Sequence, residues 1–128
     1  MRISVYSLSD AAMSFGIVQF EEGELGAVKK AVESMSLDRL VNTLRSIGIE
    51  VEEITVAKGV RVRGSWRSEV VYLSILGSSK KYWLEILDEF ADFVCNESVI
   101  DAVNTVTKLL SALSPVVKSR GKRSIIGM

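Results

Sequence analysis

The longest amphipathic pattern in the chain runs over residues 98–118. Val99, Val103, Val106, Leu110, Leu113 and Val117 recur at spacings of 4, 3, 4, 3 and 4, which stacks side chains on one face of an α-helix. Ala102, Leu109 and Val116 run beside them, while Asn104, Thr107, Ser111 and Ser114 fall on the other side and only Asp101, Lys108 and Lys118 are charged. Ser98, three residues ahead of Asp101, resembles a capping box and opens the helix. A helix this wide in its apolar face must lie on the chain's own sheet or on a second copy.

The rest of the chain divides by the same signals. RISVYS, residues 2–7, alternates as a short strand with Ile3 and Val5 on one face. Residues 12–20 read either way; alternation of Met13, Phe15 and Ile17 with Gly16 between them favours a strand in a hairpin with the first, and a helix starting at Ser9 is the rival. Glu21, Glu22 and Glu24 suit the start of a helix whose inner face is Leu25, Val28, Ala31, Val32 and Met35. Ser36 is placed to cap a further helix with a narrow stripe of Leu37, Leu40, Val41, Leu44 and Ile47, stopped by Gly48. Residues 49–57 read as a strand whose alternation slips at Glu52 and Glu53, Lys58-Gly59 as a tight turn, VRVRG as a strand, and GSWRS as a second turn. EVVYLSIL, residues 69–76, is apolar on both faces and reads as a central strand. Residues 80–95, KKYWLEILDEFADFVC, read as a helix with Tyr82, Trp83, Ile86, Leu87, Phe90, Phe93 and Val94 on its inner side.

Strands and helices in this order predict an α+β fold: an antiparallel sheet of about five strands, helices packed on one face, and a long C-terminal helix. A ferredoxin-like arrangement is open for the middle of the chain. Residues 1–118 are expected to form a single domain and residues 119–128 a flexible basic tail.

Composition narrows the function. The 128 residues are 48% hydrophobic and 25% charged, with 16 basic and 16 acidic side chains, so the chain is globular and its net charge favours no partner. A mean hydropathy of +0.26 points to deep burial or a subunit contact. There is no histidine and one cysteine, Cys95, which rules out an intramolecular disulfide or a zinc site built from one chain and lowers the prior for hydrolases and metalloenzymes. No cofactor and no metal is expected. The N-terminus lacks the pattern of a signal peptide and no apolar run is long enough for a membrane span, so a cytoplasmic protein without a membrane partner is expected.

Three charge clusters remain. Glu85, Asp88, Glu89 and Asp92 would share one stripe of the helix 80–95; a divalent-cation site is the sharp reading, a solvated helix face the better one. Lys58, Arg61, Arg63 and Arg67 fall close together around Trp66, with Arg61 and Arg63 on one side of a strand. Guanidinium groups grip phosphate and an exposed indole stacks on a base, although a charged edge strand also serves to prevent sticking. Lys118, Arg120, Lys122 and Arg123 in the tail could add phosphate contacts. The expected function is therefore a non-catalytic, self-associating protein that binds single-stranded DNA or RNA through the basic hairpin and tail. The alternative is an interaction module docking through the C-terminal helix. A homo-oligomer is expected, with Val99, Val103, Val106, Leu110, Leu113 and Val117 as its interface.

Overall fold

A computed structural model describes residues 2–9, 14–19, 23–87, 90–113 and 125–127. In chain order the elements are β1 (Arg2–Ser7), β2 (Ser14–Gln19), α1 (Glu24–Ser34), α2 (Leu37–Ser46), β3 (Glu53–Arg63), β4 (Trp66–Leu76), β5 (Lys81–Ile86), β6 (Phe90–Cys95), α3 (Val99–Leu113) and a short β7 (Ile125–Gly127). The fold is α+β. Six main strands lie in the order β3-β4-β5-β6-β1-β2, and β7 continues the sheet beyond β2. The sheet is mixed rather than antiparallel throughout. β1 runs parallel to β6, Ile3 beside Ala91 and Val5 beside Phe93, while the other pairs are antiparallel. The parallel pair follows from the crossing that α1 and α2 make between β2 and β3: it carries the chain from one end of the sheet to the other, and the β3–β6 meander then returns to end alongside β1.

Local capping agrees with the sequence. The Ser36 hydroxyl accepts the Arg39 N–H at 3.2 Å and the Ser98 hydroxyl accepts the Asp101 N–H at 3.3 Å, each satisfying a donor that the first helical turn leaves open. Residues 14–19 are the strand that the Gly16 alternation favours, paired in a hairpin with β1.

Alternate residues of the strands build one buried face. Ile3 and Val5, Val18, Val71, Leu73 and Ile75, Leu84 and Ile86, and Ala91 and Phe93 meet Leu25, Val28 and Val32 of α1, Leu40 and Leu44 of α2, and the apolar side of α3. All three helices therefore cover the same face. The face of α3 that the sequence leaves open between its own sheet and a second copy goes to its own sheet. Val103, Val106, Leu110 and Leu113 are buried there and Val99 packs against the same core; Val117 lies outside the described residues. The expected oligomer interface is thus spent inside the chain.

Two expected elements are replaced. The helix expected over 80–95 is the hairpin β5–β6, closed where the Leu87 N–H donates to the Phe90 carbonyl at 2.9 Å. Tyr82, Leu84 and Ile86, then Ala91, Phe93 and Cys95, are buried at every second position. That two-residue period is masked in the sequence because Trp83, Phe90 and Val94 make the opposite face apolar as well, so the segment also fits a helical projection. The turn expected at Lys58-Gly59 is absent. β3 runs straight through it, with Ile54, Val56, Lys58, Val60 and Val62 alternating on one side, and the real turn is Gly64-Ser65. Gly64 has φ +63° and Ser65 does not share the positive sign, the pattern of a two-residue type II′ hairpin loop. No helix interrupts β3-β4-β5-β6, so the middle of the chain is a meander and not a ferredoxin-like arrangement.

Candidate functional site

With the described helices on one side only, the sheet's other face is left open by the described residues. Register assigns its residues: Arg61, Arg63 and Thr55 on β3, Trp66, Val70 and Tyr72 on β4, Lys81, Trp83 and Glu85 on β5, Phe90, Asp92 and Val94 on β6, and Arg2, Ser4 and Tyr6 on β1. Trp83 is 42% exposed and packs against Tyr72, ring centroids 5.2 Å apart and tilted by 42°. Tyr72 can lie low because Gly59, its diagonal neighbour across the β3–β4 pair, has no side chain. A Cβ on Gly59 would come within 3.3 Å of the Tyr72 ring, closer than an unstrained contact. Beside this pair an apolar hollow of about 250 Å³ is lined by Leu8, Leu76, Trp83 and Val94.

The β3–β4 arm folds over part of this face. In a flat sheet Arg61 and Glu85 would be two strands apart, about 10 Å, and displaced by four residues, about 13 Å, along the strands. Instead the Arg61 guanidinium lies 3.2 Å from Glu85 and 3.5 Å from Asp92 and 5.9 Å from the centre of the Phe90 ring. Trp66, at the tip, stacks on Phe90 with centroids 6.3 Å apart. The arm is long, 11 residues a strand against 6 in β5 and β6, and the twist of a two-stranded ribbon carries its tip across the sheet. The Glu85–Asp92 pair, opposed across β5 and β6, is the attraction that receives it.

Of the expected nucleic-acid residues, Arg61, Arg63 and Trp66 share the open face, Arg61 already engaged by two carboxylates. Lys58 and Arg67 lie on the helix side of the sheet, Lys58 3.5 Å from Glu33 of α1. Lys118, Arg120, Lys122 and Arg123 lie outside the described residues, as do Asp88 and Glu89. The acidic stripe does not exist as a helix face, and no cluster that could hold a metal occurs among the described residues. No described helix is long and apolar enough to cross a membrane. Trp83 and Tyr72 were missed in the sequence, since a helix over 80–95 turns Trp83 inward. The alternation Tyr82, Leu84, Ile86 was the signal that could have found them.

A second concavity, about 480 Å³, opens between the turn after α2, the β4–β5 loop and α3. Two of its charges, Lys80 and Glu97, pair with each other. Glu97 accepts from Lys80 at 3.0 Å and from the Thr105 hydroxyl at 2.8 Å. Burial, with Glu97 alongside, pushes the Tyr82 phenol well above the usual tyrosine range, and the same carboxylate raises Lys80. Cys95 is buried, and burial pushes its thiol up, away from the reactive thiolate.

No family model, curated protein or solved structure matches this chain.

Proposed function

We propose that the chain is a non-catalytic protein that binds single-stranded nucleic acid on the open face of its sheet, with the basic hairpin at one side of the bound strand. The half-exposed Trp83, held against Tyr72 on the uncovered face, carries this reading. An indole ring held by a neighbour offers a plane to any base, and stacking is indifferent to sequence. Lys81, two residues away on the same face, and Arg63 at the arm are exposed cations on the same side of the sheet, suited to phosphate. Arg61 contributes by shaping the face rather than by gripping phosphate, because Glu85 and Asp92 already occupy it.

Titration of a labelled oligonucleotide by anisotropy at two salt concentrations tests the proposal. Affinity is expected to fall as salt rises, and Trp83→Ala is expected to cost about 1–3 kcal/mol of binding. Absence of binding at low salt would refute it. The hollow lined by Leu8, Leu76 and Val94 favours a second reading, a protein partner that inserts an apolar side chain beside Trp83. In that case oligonucleotides do not bind, at any salt.

A further inference from the structure

β3 ends the sheet: β4 is its neighbour on one side, and no described strand lies on the other. From this edge we infer that the chain pairs with a second copy of itself, β3 against β3 in antiparallel register centred on Lys58. The inference stands apart from the nucleic-acid reading.

The hairpin loop sets which groups point outward. With Arg63 and Trp66 closing a two-residue loop, the odd-numbered residues of β3 direct their N–H and C=O groups at β4. Ile54, Val56, Lys58, Val60 and Val62 direct theirs to the free edge. Lys58 is the midpoint of β3, so a two-fold axis there pairs the whole strand with its copy and leaves no residue over. The partners are then mutually suited. Val60 meets Val56 of the copy and Val62 meets Ile54. This matters because Val60 and Val62 are 52% and 56% exposed on the helix side, beyond the helices' reach, while Ile54 and Val56 pack against the core. Each copy thereby extends the other's core over its bare valines. On the open face Glu53 meets Arg63, opposite charges at both ends of the contact. Shifting the axis to residue 57 or 59 sets Lys58 opposite a valine and breaks the Glu53–Arg63 match.

The obstacle is Lys58, since a charge pointing inward on an edge strand is a common guard against such pairing. Here it is 3.5 Å from Glu33 of its own α1, so two carboxylates flank the two lysines that the axis brings together.

Sedimentation and light scattering of the full chain over a range of concentrations provide the test. A dimer is expected. Glu53→Lys should weaken it about five- to tenfold, because the contact occurs twice by symmetry and like charges then oppose each other. Arg63→Glu should do the same, and Glu53→Lys with Arg63→Glu should restore it. Val60→Pro removes an outward N–H without touching the β4 ladder and should leave a folded monomer by circular dichroism. A monomer at every concentration overturns the inference. So does a dimer that ignores both charge reversals, which would place the contact on another surface. If Val60→Pro unfolds the chain, the charge swap alone decides.

Discussion

Glu24 is the residue most at odds with its surroundings. It opens α1, it is buried, and neither carboxylate oxygen has a hydrogen-bond partner among the described residues. A first-turn carboxylate gains something from the helix dipole, but less than the cost of an unpaired buried charge. Glu24→Gln is therefore expected to raise stability by about 1 kcal/mol in urea unfolding. A loss instead would mean that the carboxylate has a cationic partner. Gly59 shows the opposite case, a residue whose lack of a side chain is used. Gly59→Ala is expected to lift the Tyr72 ring, loosen it from Trp83 and change Trp fluorescence, with a stability loss of about 1 kcal/mol from the forced contact.

At the scale of elements, α3 is the keel of the helix layer. It meets β1 and β2 directly and touches both other helices. Leu110, 1% exposed, is at its buried centre, and Leu110→Ala is expected to cost about 2–5 kcal/mol by thermal or chemical unfolding. The β3–β4 arm is held differently, by one guanidinium between two carboxylates and one aromatic stack. Arg61 is partly exposed, so screening keeps the net worth of these ion pairs to about 1 kcal/mol or less. Arg61→Ala should accordingly leave the fold intact while amide hydrogen exchange speeds up over residues 59–68. Unchanged exchange there would show that twist alone, not Arg61, holds the arm over the sheet.

For the whole molecule, buried Tyr82 and exposed Lys80 both make stability fall on the alkaline side. Tyr82 is raised from an ordinary 10.0, chiefly by burial, and Lys80 from 10.5 by its bond to Glu97. A phenol that stays protonated in the fold but ionises once unfolded makes unfolding release a proton, so stability falls above about pH 10. Lys80 acts in the same direction: its stabilisation is complete below its unfolded value and is lost as pH rises through the raised one. Melting temperature should therefore decline above pH 10, and Tyr82→Phe should flatten part of that decline. An unchanged slope in the variant would show that Tyr82 is not the group responsible.

Much of this fold was legible in order along the chain. The 4-3 spacing of Val99 to Leu113, the serine caps at Ser36 and Ser98, the alternation of β1 and β2, and the doubly apolar run of β4 are local properties, decided within one or two turns or a few residues of strand. Where the local pattern was degenerate, it misled. Residues 80–95 are apolar on both sides, so their period was undetermined until β4 on one side and β1 on the other supplied partners for two strands. Lys58-Gly59 has the composition of a turn, yet it is a strand interior because 11 residues of β4 pair across it. The candidate site was less legible still. Arg61 and Arg63 share a face, as their spacing implies, but that Arg61 is bound to Glu85 and Asp92 depends on the sheet's twist. That Trp83 is uncovered depends on all three helices choosing the same face. The sequence by itself determined the class of fold, the helix starts and the apolar face of α3. Only the tertiary structure decided where that face is buried, which face stays open and which edge remains unpaired, because each depends on residues far apart in the chain meeting in space.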